Sequence, residues 1–424
     1  MRKSCRKLGV SEGILRRLYC RFGGGKSGGK VGRVDYQSFT DLPQNRAVNT
    51  RIDFRYLSED DTIAAGVMDM AACVDAMEET FALYAAGDYR MAGPNNDSHG
   101  ARMIFPDDPP FENMPANDDD RRFTAMPAYL GGSFGTTGMK WYGSNMANRE
   151  KGLPRSILMF MLNDTDTAAP LALMSANLLS AMRTGAVSGV AARHFARSDS
   201  RVAGVIGPGV MGRTTLAALA VACPMLDTVK VRGRSQQGID DFRAWVGEHV
   251  PQITTIEQVS SDEEAMRDSD VVAVCATTKA GDVDTYPMVR REWLAPGAFV
   301  TMPAAANIDE GLEAQEIRKV VDSYGLYEAW GMEFPTPTHH HVGIIGNKFL
   351  DLVSENKLRH WDIEELGPVV ERRTEGRRTP EEIVLMSVGG LPIEDVAWGT
   401  VLYRNALERN IGTVLPLWTT PSLA

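Results

Sequence analysis

From about residue 53 onward, apolar positions recur along the chain with helical and strand periods in turn. Ser58-Glu59-Asp60-Asp61 reads as a helix start, cut short by Gly66. Between Met68 and Ala86, Met70, Val74, Met77, Phe81 and Tyr84 return every three or four residues, which predicts a helix with one buried stripe, ended by Gly87. Periodicity then fails through Asp120 in a stretch rich in Pro, Asn and Asp, which Arg90 opens and which predicts a long functional loop. Arg122–Tyr129, Gly138–Tyr142 and Ser156–Leu162 read as strands, with Lys140 inside the middle one. After the turn Asn163–Asp166 the chain enters a helical, Ala- and Ser-rich region in which Arg183 is the sole charge between Leu171 and Ala192.

The alternation becomes regular from Arg201. Strands are predicted at Arg201–Ile206, Thr228–Arg232, Ile253–Ile256, Val271–Cys275, Phe299–Met302 and Lys319–Asp322. Helices are predicted at Met211–Cys223, Ile239–His249, Asp262–Met266 and Met288–Trp293. Such alternation implies a doubly wound parallel sheet whose ligands lie at the carboxyl ends of its strands. Residues 333–383 read as a surface excursion, and Ile383–Asn410 as a strand, a bend at Gly389-Gly390 and a helix capped near Glu394-Asp395. The fold expected is α/β: a Rossmann sheet over 185–388 inserted into a mixed α+β substrate and dimerisation domain made of 51–184 plus 389–424.

Composition changes this picture at the first residues. The net charge of −10 conceals ten Lys/Arg against Glu12 and Asp35 within residues 1–40, so the rest of the chain carries −18. An acidic body argues against nucleic acid as partner. Residues 1–50 are basic and Gly-rich with few apolar positions, which predicts a mostly disordered extension. Its GGGKS lacks the preceding strand and first glycine of a phosphate loop. Five scattered cysteines without metal-type spacing and no apolar run of about 20 residues suit a reduced, cytoplasmic protein without a membrane partner. Three successive histidines, His339 to His341, cannot converge on one point, so no metal is expected.

Candidate chemistry gathers around Met174–Arg213. Gly207-Pro208-Gly209-Val210-Met211-Gly212 follows a strand and opens a helix, the setting in which backbone N–H groups receive a dinucleotide pyrophosphate. At the end of the next strand, where an acidic residue would accept a ribose hydroxyl, stand Arg232, Gly233, Arg234 and Ser235. Two guanidiniums and a hydroxyl suit a 2′-phosphate, so NADPH is expected over NADH. Thr277 and Thr278 sit at another strand end facing the cofactor. Arg183 either finds a distant carboxylate as a structural ion pair or holds a substrate carboxylate or phosphate. Lys140 is either an edge-strand lysine turned to water or an active-site amine.

With these motifs placed, the chain resembles the ornithine cyclodeaminase/mu-crystallin family over about residues 53–412. The agreement includes Met126-Pro127, Gly138-Met139-Lys140, Asn148 with Gly152-Leu153-Pro154, Arg183-Thr184-Gly185-Ala186-Val187-Ser188, Ala196-Arg197-Ser198-Asp199-Ser200, the glycine motif and Ile393-Glu394-Asp395. The resemblance implies a homodimer in which Arg183 and Arg90 hold a substrate carboxylate, Lys140 handles the proton on nitrogen, and Thr184 with the glycine motif meets the cofactor phosphates. One departure stands out: Ala305 occupies the place of the aspartate that helps cyclodeaminases activate an amine. The expectation is therefore an NADPH-dependent oxidoreductase acting on an α-imino or α-amino acid, such as an imine reductase or an opine-type dehydrogenase. An ornithine cyclodeaminase and a non-catalytic NADPH or small-ligand binding protein are the alternatives.

Overall fold

The computed structural model describes residues 50–279 and 281–423, which form one compact unit. The basic extension expected over residues 1–50 lies, save Thr50, outside the described residues. Two eight-stranded sheets organise the unit.

The first sheet takes β1 (Ile52–Leu57), β2 (Tyr89–Met91), β3 (Ala101–Ile104), β4 (Arg122–Leu130), β5 (Thr136–Ser144), β6 (Ser156–Asp164) and β7 (Pro170–Ser175). The second is built from β8 (Val202–Ile206), β9 (Thr228–Arg232), β10 (Thr255–Gln258), β11 (Val271–Val274), β13 (Phe299–Met302), β15 (Arg318–Val321), β16 (Ile363–Glu365) and β17 (Val384–Ser387). A small pair, β12 (Met288–Val289) with β14 (Asn307–Ile308), stands apart, and β18 (Thr413–Trp418) returns to the edge of the first sheet beside β1.

The second sheet is parallel throughout, in the order β10-β9-β8-β11-β13-β17-β15-β16. Its central strands VVAV, FVTM and VLMS are buried at every residue. A strand covered on both faces needs such continuous apolar runs, which is why their sequences do not alternate. The first sheet does alternate: Leu158, Phe160 and Leu162 point inward, whereas Ile157 and Met159 point outward.

Five helices matter to the site. Helix α1 (Met70–Ala86) begins where Asp69 accepts from the Ala72 amide and ends at Gly87, whose φ of 77° a side chain would oppose. Its stripe Val74, Met77 and Phe81 is buried, as the spacing predicts. Helix α2 (Asn177–Phe195) carries the chain from the first sheet to the second. Helices α3 (Val210–Ala222) and α4 (Gln236–His249) follow the first two strands of the parallel sheet. Helix α5 (Pro392–Glu408) lies on the inner face of the first sheet, where Thr400 and Thr136 share a hydrogen bond of 2.7 Å.

Four expectations need correction. The stretch 87–120 is not one long loop, because β2 and β3 both pair with β4. The run Pro170–Ser175 is a strand rather than the start of the Arg183 helix; a short wholly apolar run has no period to separate the two states. The helix expected at Met288–Trp293 is a two-residue strand followed by a 3₁₀ turn. The excursion 333–383 adds β16 to the parallel sheet and buries His339, whose amide is held by Asp351. No described helix is long and apolar enough to cross a membrane.

Candidate active site

A cavity of about 590 Å³ opens between the carboxyl ends of the parallel sheet and the first sheet. On the parallel-sheet side it is lined by Met211, Arg234, Thr277 and Thr278, together with Ala304 and Ala305 after β13. The glycine turn beside it is shaped for an anion. Gly207 has φ 99°, and a Cβ there would come within 2.7 Å of the Ala276 backbone. Gly209 precedes α3 without any side-chain cap, and a Cβ on it would meet nothing within 4 Å. Uncapped N–H groups of a 13-residue helix thus face open space, which fits a dinucleotide pyrophosphate.

The basic turn is only partly free. Arg234 lines the cavity and donates to the Thr277 carbonyl oxygen. Arg232 turns instead to Asp262, with Nε 3.2 Å from Oδ1, and the Ser235 hydroxyl caps α4 by accepting from the Gly238 amide at 3.2 Å. Pro208 and Val210 complete the turn without lining the cavity.

Behind the cavity lies a closed ionic cluster. Lys140 Nζ, 1% exposed, is 3.0 Å from Asp395 Oδ1, 2.8 Å from Oδ2 and 3.1 Å from Ser180 Oγ. The shorter contact to Oδ2 is one of charge, since that oxygen accepts no well-directed hydrogen bond. Arg183 Nε donates to Asp395 Oδ1 at 3.1 Å, and Nη1 to Glu394 Oε2 at 2.5 Å. Glu394 Oε1 accepts from the Leu391 amide. Two cations and two carboxylates neutralise one another, which a buried charge requires. Burial and the neighbouring Arg183 charge push the Lys140 amine down to about 8, while Asp395 pulls it back up. Burial pushes the Glu394 carboxyl up to about 7 against the pull of Arg183.

This arrangement settles the side-chain positions that the sequence left open. Lys140 is not turned to water: β5 is a central strand, and its alternation sends Lys140 inward and Trp141 outward. Arg183 has found its distant carboxylates and does not line the cavity. Thr184 gives its hydroxyl to the Ser180 carbonyl at 2.8 Å and is likewise absent from the wall. Arg90 is not brought to this cluster at all. It lies on the exposed side of β2 and bonds to the Gly87 and Tyr89 carbonyls, because the period of two on that strand turns Met91 and not Arg90 inward.

Other arginines occupy the wall that Arg90 was expected to reach. Arg102 on β3 and Arg122 on β4 line the cavity, with His99 at the turn before β3. His99 Nδ1 is 2.9 Å from the Gly390 carbonyl oxygen, and burial together with the Lys140 charge pushes its ring down to about 3, so it is neutral. Sequence reading passed over His99 and Arg102 because it took 87–120 for one long loop, and it read Arg122 only as the start of a strand. Little in the sequence marked them: Ala101–Ile104 holds one arginine among apolar residues, directly before the proline-rich stretch that begins at Pro106.

A parallel dinucleotide-type sheet whose strand ends face a second, mixed sheet across one cavity defines a nicotinamide-nucleotide enzyme of the two-sheet type. The sequence model of the ornithine cyclodeaminase/mu-crystallin family matches residues 67–410, and the chain belongs to that family. It is an NAD(P)-dependent oxidoreductase or cyclodeaminase by that membership. Among its relatives is the N-((2S)-2-amino-2-carboxyethyl)-L-glutamate dehydrogenase of Staphylococcus aureus, 27% identical over 86% of this chain and 98% of that protein. The solved Delta(1)-pyrroline-2-carboxylate reductase of Thermococcus litoralis, in complex with NADH and L-proline, superposes with a TM-score of 0.68 at 27% identity, covering 85% of this chain and 99% of that one. An archaeal alanine dehydrogenase dimer with bound NAD gives 0.67 at 28% identity, covering 87% and 100%.

The ionic cluster predicts a large stability cost when it is broken. Asp395→Ala leaves Lys140 and half of Arg183 uncompensated, and urea denaturation should record a loss of about 3–5 kcal/mol. A loss below about 1 kcal/mol would contradict the closed cluster.

Proposed function

We propose that this chain is an NADPH-dependent oxidoreductase that reduces the C=N bond of an α-imino acid, or oxidises the corresponding amine. The observation that carries this reading is a cavity with two unlike walls: Met211, Arg234 and Thr277 on one side, next to the glycine turn, and arginines of the first sheet on the other. The names of its relatives, an amino-acid dehydrogenase and an imine reductase among them, support the same reaction class.

The cofactor, when bound, supplies a hydride to the α-carbon or takes one from it. The chain's own residues do the rest. Arg102 and Arg122 replace Arg90 and Arg183 as the groups that meet carboxylate, since both face the cavity and guanidinium geometry suits it. Hydride delivery leaves the former π pair on nitrogen, which then takes one proton. Lys140 is proposed as its source, a buried amine whose lowered pKa permits exchange near neutral pH and whose charge is felt by His99 on the wall. Reaching nitrogen requires the flexible lysine stem to leave Asp395 when substrate enters.

NADPH is favoured over NADH through Arg234 and the Ser235 hydroxyl, with Arg232 held back by Asp262. The cyclodeaminase reading is weaker. Ala305 lines the cavity where an aspartate would be needed, and the nearby Asp309 carboxylate is engaged with the Leu312 and Arg291 amides.

We also propose a homodimer built on the outer face of the first sheet. Trp141 and Met159 are cross-strand partners there, exposed beside Ile157, and the β18 residues Leu415, Leu417 and Trp418 extend the apolar surface. Such contiguous exposure marks an interface.

With the preformed cyclic imine pyrroline-2-carboxylate, NADPH should be consumed with a kcat/KM at least about tenfold above that with NADH, and Arg234→Ser should bring the two near parity. Because the ammonium form of Lys140 donates in reduction, kcat/KM should fall as pH rises through about 8, and proline oxidation should rise through the same pH. Ammonia release from ornithine without net change in cofactor absorbance would sink the reductase reading. For the dimer, light scattering should give twice the chain mass, and Met159→Glu should halve it; an unchanged mass would refute the assigned face.

A further inference from the structure

The histidine on the cavity wall is held in one tautomer. His99 Nδ1 lies 2.9 Å from the Gly390 carbonyl oxygen, which can only accept, so Nδ1 carries the proton and donates it. Burial and the charges of Lys140, Arg183 and Arg122 keep the ring neutral against the pull of that bond. A neutral imidazole protonated on Nδ1 keeps a lone pair on Nε2. Nε2 has no hydrogen-bond partner among the described residues, and it is not sealed off by protein. His99 is half-buried and lines the cavity, so this unshared lone pair opens on the space between the two walls.

The tautomer is fixed from behind. Asp322 follows β15 and is fully buried. Its Oδ2 accepts from the Gly389 and Gly390 amides at 2.7 and 2.8 Å, and its Oδ1 from the Tyr327 hydroxyl at 2.9 Å. Gly390 has φ 85°, and a Cβ there would stand 2.5 Å from Arg183 Nη1. Only glycine therefore lets this turn lie against the ionic cluster while its carbonyl meets His99. The rest of the first-sheet wall has little to give an N–H donor. The guanidiniums of Arg102, Arg122 and Arg155 only donate. Each wall carboxylate already faces a cation: Asp119 is 3.4 Å from Lys279, Glu333 is 3.4 Å from Arg102, and Asp120 accepts from Arg155 at 2.9 Å and from Arg122. His341 also lines the cavity, but it is exposed and no hydrogen bond fixes its ring. His99 is thus the side chain held there as an unpaired acceptor, among the described residues.

We propose that His99 Nε2 accepts a hydrogen bond from the N–H of the bound amine or protonated imine, and that Asp322 is a positioning residue that acts on it through the Gly389-Gly390 turn. The inference rests on the imino-acid reading above and adds the group that holds the substrate nitrogen. No proton passes to His99, and Lys140 remains the proton source. An amine taken out of water needs an acceptor for its N–H, whereas an ether oxygen in the same place would set lone pair against lone pair. With the carboxylate on the arginines and the nitrogen on His99, the α-carbon between them is held at two points. That leaves its orientation toward the cofactor fixed.

The test uses binding rather than turnover, so that it is separable from the reaction itself. Calorimetry on the NADPH-loaded protein would compare L-proline with tetrahydrofuran-2-carboxylate, in which oxygen replaces N–H; with the cofactor already reduced, neither can react. Proline should bind at least about tenfold more tightly, the size expected for one hydrogen bond to a charged donor gained and one repulsion avoided. The ratio should fall toward one in His99→Leu with NADPH affinity unchanged, and His99→Gln, whose carbonyl can take the place of Nε2, should recover part of it. Nitrogen NMR of isotope-labelled protein supplies a readout that a purely structural role would not move. The His99 Nε2 signal, assigned by its loss in His99→Leu, should be that of an unprotonated ring nitrogen and should shift with proline but not with the ether. In Asp322→Asn it should move toward the average of the two tautomers as the preference for proline drops; an unchanged signal would remove Asp322 from the proposal. Equal binding of the two acids, no measurable binding of either, a protonated Nε2, or a ratio that survives His99→Leu would each overturn the nitrogen site. If proline is selected through His99 but no imino acid is reduced, the reaction assignment fails and the site stands.

Discussion

Charge neutralisation away from water is the constraint on which the site depends. Lys140 comes from β5, Arg183 from α2, and Glu394 and Asp395 from α5, segments separated by as many as 255 positions in the chain. None could be buried alone, yet together they balance, with Asp395 shared by both cations. The same contacts therefore fix where the first sheet, the connecting helix and the returning helix meet. They also leave an amine held in readiness beside a cavity rather than inside it.

Function follows from what faces what across that cavity. The parallel sheet contributes backbone: an uncapped helix N-terminus and strand ends bearing small residues. The first sheet contributes side chains, mostly guanidiniums, placed on one face by the register of β3, β4 and β5. One wall suits a dinucleotide and the other a carboxylic acid, so the division of labour between cofactor and substrate is already drawn in the kinds of groups each sheet presents. Ala305 lines the cavity where the resemblance to cyclodeaminases calls for a carboxylate, in keeping with the hydride exchange proposed above.

Much of this was legible from the chain. The glycine motif, the alternating strands and helices after Arg201, and the buried stripe of α1 are local patterns, and apart from the helix expected at Met288–Trp293 each appears where the spacing places it. What escaped was set by partners distant in sequence. Arg183 and Lys140 could be singled out as costly to bury, but only the fold supplies Asp395, and with it the finding that Arg183 is occupied. Arg90 was named from the family resemblance, and β2 and β3 are too short to declare a period, so nothing in the sequence said which arginine turns inward. The edge strand β18 carries Pro416 and is exposed at every position, which hides it from any reading based on burial.

The central claim is that hydride moves between cofactor and substrate α-carbon between these two walls. It is tested most directly with NADPH carrying deuterium at its transferable nicotinamide position, supplied with pyrroline-2-carboxylate in ordinary water. The account predicts one deuterium in each proline formed, located on the α-carbon. Proline that contains no label there, or that forms without consumption of NADPH, would contradict it.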